Sequence, residues 1–449
     1  METRTEIDFL GEMQIPADAP WGIHTARALE NFPIPGSPVP AALISALAQV
    51  KKACALANKE LGLLSPEKAD AIIAACDEFE LSDLKSEMSA LQGGAGTSTN
   101  MFMNELLANG ASKRCGQPVH PIEDVNLHQS TNDVYPTAVK VAAIHGLREL
   151  AEKVETLQGA FQRLEKKFTH ITTVGKTELV EAVPLTLGAE FGAFAEAFAR
   201  DRWRTFKCEE RLRVVNLGGT AIGTGLTAPR DYIFLVTDKL REVTGLGLSR
   251  GENLVDQTAN ADAFVEVSGI MKACSANLLK ICGDLRLLHM NGIIKLPALQ
   301  AGSSIMPGKV NPVILESVMQ IGVKVQANDF IVTECASRGS LQINEFMPLL
   351  ASALLDSMEL LGAACGMLAN HAEGIEADEA ECERQFSQSL EIITAFLPSI
   401  GYERATELIE AFRKAGRTDF KTYLENELGA ESVGKTLSPQ NLMALGHRS

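Results

Sequence analysis

Two hydroxyls, a cation and an amide fall within the nine residues Ser303-Ser304-Ile305-Met306-Pro307-Gly308-Lys309-Val310-Asn311. Such a set can hold an oxyanion and move a proton beside it, and a purely connecting loop has no reason to carry it. Ala301 and Gly302 open the stretch, and Pro307, Gly308 and Pro312 punctuate it. The backbone is therefore predicted as a mobile loop up to Pro312, which suits the first turn of a helix. An enzyme is the leading reading.

Two further polar clusters interrupt an otherwise apolar, helical chain. Gly94-Ala95-Gly96-Thr97-Ser98-Thr99-Asn100 sets hydroxyls at a helix start, where glycines let backbone approach a ligand and bound anions are favoured. Asp124-Val125-Asn126-Leu127-His128-Gln129-Ser130-Thr131-Asn132-Asp133 leads into a long helical pattern. Each cluster alone is explained as well by N-capping, for which Ser, Thr, Asn and Asp are the preferred residues. Three of them before helices of one bundle point instead to a shared oxyanion site, with Lys309 as its one fixed cation.

Metal and nucleotide chemistry find no comparable support. The histidines lack ligand spacing, no phosphate loop is present, and Asn216 to Gly225 has glycines without the strand, helix and acid of a dinucleotide site. No cofactor and no metal are expected, and His24 and His128 read more readily as structural than as ligands or bases.

The elements that must position these groups are helices. In 449 residues, 46% are hydrophobic, 22% charged and only 5% aromatic, a profile that favours an all-α fold. Leu147, Leu150, Val154, Leu157, Phe161, Leu164 and Phe168 alternate spacings of three and four, as do Phe264, Val267, Met271, Cys274, Leu278, Ile281, Leu285 and Leu288. Each seam demands a partner helix along its whole length. Ile314, Val318, Ile321 and Val325, and Met347, Leu350, Leu354, Leu361 and Leu368, supply further bundle members. Seams of this length predict burial between subunits and hence a homo-oligomer. The expected division is an N-terminal domain 1–130, irregular over 1–40 and then helical, a central long-helix bundle 131–370, and a small helical domain 371–449.

The net charge of −16 disfavours nucleic acid and anionic membranes as partners. The first twelve residues are charged rather than leader-like, and no apolar run approaches the roughly 20 residues needed to span a bilayer. Nine scattered cysteines without a C-x-x-C pair read as reduced core thiols, which suits the cytoplasm.

Thr97 to Asn100, Ser130 to Asp133, Gly175-Lys176-Thr177 and Gly302 to Pro312 resemble the successive signature blocks of the aspartase/fumarase superfamily, and the similarity runs from Phe9 to Pro439. Within it, Leu91 to Met101 with alanine at 95, Pro312 to Glu316, and Lys324 to Asp329 are most similar to the aspartate ammonia-lyase branch, with class II fumarase as the alternative.

The resemblance implies a three-domain, all-α homotetramer with active sites shared between subunits. It also implies an anti-elimination on a small dicarboxylate, with Ser303 as general base. Lys309, Asn311, Thr97, Ser130 and Thr131 are then the carboxylate donors, and Asn132 and Thr177 lie near the amino group. Three departures stand out. Glu178 follows Thr177 where His or Gln is usual, while the partner carboxylate Glu316 is retained. If the two approach, like charge forces one to stay protonated or to recruit a cation; a solvated Glu178 turned away is the other reading. The segment 289–295 is short, and Leu127 stands where lysine is common.

Overall fold

The apolar seams become the buried faces of long helices. The computed structural model describes residues 2–80 and 87–446. Helices span Thr131–Lys167, Asp262–Met290, Val313–Ala336 and Met347–Ala372. The first, at 37 residues, is about 55 Å long at 1.5 Å per residue. Every seam residue from Leu147 to Phe168 and from Phe264 to Leu288 is buried, as are Met347, Leu350, Leu354, Leu361 and Leu368. The Ile314, Val318, Ile321 and Val325 seam is less complete: Val318 and Val325 are buried but Ile314 and Ile321 only half-buried, and Val323 and Phe330 of the same helix are largely exposed. The fold is all-α in class, with four two-stranded sheets as minor additions among the described residues.

The chain groups into two compact units. The first comprises residues 1–150, 204–273 and 324–361. In it, Ala41–Glu60 packs against Pro66–Glu80 and Arg230–Thr244, and Thr97–Cys115 packs against Pro66–Glu80. Ser65 and Pro66 start a helix as their types predict.

Residues 1–40 are more ordered than expected. Thr3–Asp8 and Gly11–Pro16 form an antiparallel hairpin, and Ile23–Asn31 is a helix. The alternation Arg4, Glu6, Asp8 marks one face of that hairpin. Arg4 binds the carbonyls of Ala17, Ala19 and Trp21, and Arg27 forks onto Asp8, so ion pairs supply what an apolar pattern would otherwise show.

The second unit comprises residues 151–203, 274–323 and 362–449. Phe161, Phe168, Phe191, Phe194 and Phe198 pack ring against ring between the Thr131–Lys167 and Leu187–Cys208 helices. A hairpin of Thr172–Thr177 and Val180–Thr186, unforeseen in the sequence, brings Val174 into the C-terminal core of Phe386, Ile392, Phe396, Phe412 and Phe420. Its turn is two residues long, and both Glu178 (φ 54°) and Leu179 (φ 64°) are left-handed, a conformation that favours Gly and Asn.

One helix, Met347–Ala372, is long and apolar enough to cross a membrane, contrary to the expectation that no run approaches that length. Its charges, Asp356 and Glu359, break the run in sequence but leave the helix strongly apolar on average. In the fold 56% of its most apolar stretch is buried, as in a core helix.

Candidate active site

The first two polar clusters meet in the first unit. Gly96 precedes the Thr97–Cys115 helix at φ +93°, and a Cβ there would lie 2.5 Å from the Tyr135 ring, so only glycine lets the backbone pass over that buried aromatic. This leaves Thr97 exposed at the first helical position and turns Thr99 and Asn100 inward. Thr99 gives both its N–H and its hydroxyl to Gln92 Oε1, at 3.1 and 2.9 Å. Asn100 Nδ2 donates to Thr131 Oγ1 at 3.2 Å, and so links the start of one helix to the start of the next.

Asp133 fixes the second cluster from below. It is fully buried, and it accepts from Ser130 N at 2.9 Å, Gly218 N at 3.0 Å and Thr220 N at 3.2 Å. Burial pushes its carboxyl up to about 6, against the three backbone donors, which favour the charged form. The glycine-rich run 216–225 thereby finds its purpose as a wrap of backbone around this carboxylate. Asn216 Nδ2 donates to Asn132 O at 2.9 Å, and Asn132 Nδ2 donates to Ala221 O at 2.7 Å. Ser130 and Asn132 are half-buried and Thr131 is buried, so Ser130 has the more open hydroxyl.

Sequence reasoning missed a second cation here. Lys51, from the Ala41–Glu60 helix, is fully buried and donates to Asn126 Oδ1 at 2.9 Å and Gln129 Oε1 at 2.8 Å. It brings to this segment a positive charge that Leu127 does not. Its position within an apolar helical stretch, Val50 to Ala57, gives no separate signal. His128 Nδ1 meets Asn58 Oδ1 at 2.7 Å and its ring packs on Tyr232.

The third cluster lies in the second unit. Gly302 N donates to Lys309 O at 2.7 Å and Asn311 Nδ2 donates to Gly302 O at 2.8 Å, so the loop closes on itself. Ser303 Oγ is half-buried and accepts from Ile305 N at 3.1 Å and Met306 N at 2.9 Å. Lys309 is exposed and makes no ion pair among the described residues. Together with Leu299, Gln300 and Met306, Ser303 and Lys309 line an open depression of about 410 Å³. The helix after the loop begins at Val313 rather than Pro312, whose carbonyl accepts the first helical hydrogen bond.

Thr177 and Glu178 are exposed at the tip of their hairpin. Glu316 is half-exposed, with Arg286 at 3.9 Å. No hydrogen bond or ion pair joins Glu178 to Glu316 within one chain among the described residues. Thr97, Ser130, Thr131 and Asn132 thus belong to one compact unit, and Thr177, Glu178, Ser303, Lys309, Asn311 and Glu316 to the other.

A lyase family matches residues 11–327. The aspartate ammonia-lyase of Pseudomonas canavaninivorans is 43% identical over 460 aligned positions, spanning 98% of this chain and 97% of that protein. The crystal structure of a fumarate lyase:delta crystallin from Brucella melitensis bound to cobalt superposes with a TM-score of 0.94 at 42% identity, covering 99% of this chain and all of that one. A class II fumarase from Schistosoma mansoni superposes with a TM-score of 0.89 at 28% identity over the full length of both.

Proposed function

The chain belongs to this lyase family of the aspartase/fumarase superfamily, and from that premise we infer that it is an aspartate ammonia-lyase, a carbon-nitrogen lyase that reversibly converts L-aspartate to fumarate and ammonia. The chain-long identity to aspartate ammonia-lyases carries the reading, set against 28% to the fumarase.

The reaction removes a weakly acidic proton from the carbon beside a carboxylate and loads a second negative charge onto that carboxylate. Preorganised donors must hold the charge as it develops. Lys309 and Asn311, with Thr97, Ser130 and Thr131, are suited to cradle the two carboxylates. Asn132 and Thr177 take the amino end.

Ser303 acts as general base, used as an alkoxide. A free serine hydroxyl is far too weak an acid for this. Two features support the role: two backbone N–H groups already aim at its Oγ and favour the deprotonated form, and the loop that carries it is exposed to solvent, so that its closure over substrate would exclude water. Ammonia leaves from the neighbouring carbon in the anti sense.

Glu178 and Glu316 modify the amino end of the site. The Arg286 guanidinium beside Glu316 offers one carboxylate a cation, and the substrate ammonium is suited to the other. Sites assembled from several subunits of a homotetramer account for donors that lie on two separate compact units. They also account for exposed apolar side chains such as Val323 and Phe330 on a bundle helix. The enzyme works in the cytoplasm, in keeping with nine free cysteines of which eight are buried.

The deciding experiment follows the ultraviolet absorbance of fumarate with purified protein and L-aspartate or, separately, L-malate. A rise with aspartate alone, with equimolar ammonia, establishes the ammonia-lyase. A rise with malate alone makes the protein a fumarase, and silence with both refutes the two readings together.

A further inference from the structure

We propose that Lys51 is a positioning residue for substrate binding, its buried ammonium holding the turn that carries Ser130 and Thr131 and lending that turn the positive potential a carboxylate needs. The proposal rests on the reading above, in which those hydroxyls bind a dicarboxylate. It concerns a residue that reaches no substrate atom.

Lys51 is 0% exposed and has no carboxylate within ion-pair distance among the described residues. A buried ammonium without a paired anion is costly, so its partners are informative. Both are side-chain carbonyl oxygens of the turn, on Asn126 and Gln129. Asn126 Oδ1 accepts in addition from Asn100 Nδ2 at 3.2 Å and Asn104 Nδ2 at 3.1 Å. Asn126 Nδ2 reaches Gln129 O at 3.3 Å, and Gln129 Nε2 reaches Val125 O at 2.9 Å. Asn100 continues to Thr131 Oγ1. One ammonium thus sits at the root of a network that ends on the Thr131 hydroxyl, beside the more open Ser130.

Asn100 Oδ1 and Asn104 Oδ1 are buried in the same network with no hydrogen-bond partner among the described residues of one chain, so it keeps acceptor capacity beside the turn.

Burial lowers the Lys51 ammonium to about 8. The groups that face it are Asp133 on the Thr131–Lys167 helix, Cys54 on its own helix and Cys76 on Pro66–Glu80, with Tyr232 and His128 beyond Cys54. Between pH 7 and 9.5 Asp133 is ionised. Cys54 (about 12) and Tyr232 stay neutral because burial raises both, and His128 stays neutral because burial lowers it. The positive charge behind the turn is therefore lost across that interval, while a mere packing role would not change with it.

The test uses succinate, a dicarboxylate with no group that titrates between pH 7 and 9.5, and measures its dissociation constant calorimetrically on the assembled protein. In the unaltered protein the affinity is expected to fall about fivefold across this range, with a midpoint near 8, as a neighbouring unit charge at intermediate dielectric allows. Lys51→Met is expected to bind weakly at every pH, with the KM for aspartate raised about tenfold and kcat changed much less. Gln129→Glu sets a carboxylate against the ammonium and is expected to move the midpoint up by about a unit.

Affinity independent of pH, a dependence that survives in Lys51→Met, or a midpoint unmoved in Gln129→Glu each overturns the proposal. Should Lys51→Met fail to assemble, the Gln129→Glu midpoint decides. Absence of both succinate binding and aspartate turnover in the unaltered protein refutes the reading of the site itself, and this proposal with it.

Discussion

Asn311 and Gly302 are joined by a hydrogen bond of 2.8 Å from the Asn311 side chain to the Gly302 carbonyl, and this contact shapes the Ser303 loop. A Cβ on Gly302 would lie 2.9 Å from both Asn311 N and Lys309 O, closer than side chains tolerate, so the two strands of the loop approach only because residue 302 is glycine. Gly302→Ala is expected to leave the thermal midpoint within about 2 °C, since the loop is exposed. It should lower kcat/KM by about 100-fold, the scale of a 1 Å misplacement of reacting groups. Steady-state kinetics beside a melting curve checks this.

Ser303→Ala removes the proposed base and leaves the two N–H donors of Ile305 and Met306 without their oxygen. Because the loop is half-exposed, water replaces the hydroxyl and folding is unaffected. Turnover of aspartate is expected to fall by about 10³-fold, within the range that general base catalysis supplies. Retained turnover in a correctly assembled variant would rule out Ser303 as the base.

Gly96→Ala strikes the fold instead. The added methyl meets the Tyr135 ring at 2.5 to 2.7 Å, and the backbone sits at φ +93°. Overpacking and strain together are expected to cost about 3 kcal/mol or more, read as a lower denaturant midpoint with an unchanged slope.

Asp133 makes stability depend on pH in a direction opposite to an ordinary salt-bridged carboxylate. Its folded value of about 6 lies above the roughly 3.9 of an unfolded aspartate, so the folded state binds the extra proton between them. The contribution is complete below pH 4 and is lost as pH rises through 6, by about 3 kcal/mol at most. Comparing unfolding of the unaltered protein with Asp133→Asn from pH 4 to 7 is expected to show the difference shrink over that interval, and an unchanged difference contradicts it.

Periodicity alone makes the long helices legible in the sequence: Leu147 to Phe168 and Phe264 to Leu288 are buried without exception because a seam at spacings of three and four has only one way to leave water. The polar clusters are equally visible as residue types, and Asn100 and Thr131 do meet. Features carried by backbone or by distant partners leave no such mark. The Glu178 turn uses residues with no turn preference, and the 216–225 glycines serve Asp133 across some 85 residues of chain. Lys51 hides within an apolar helix because its partners lie 75 and 78 residues away.

The scattered cysteines give the molecule a set of internal clocks. Burial raises Cys54, Cys208 and Cys282 to about 12 and Cys382 to about 11, while Cys115 alone is partly accessible. An alkylating reagent at neutral pH therefore marks Cys115 on mixing and each other thiol only when its own helix opens. Peptide mass spectrometry over time would then rank the helices by opening frequency, with no label added and no residue changed.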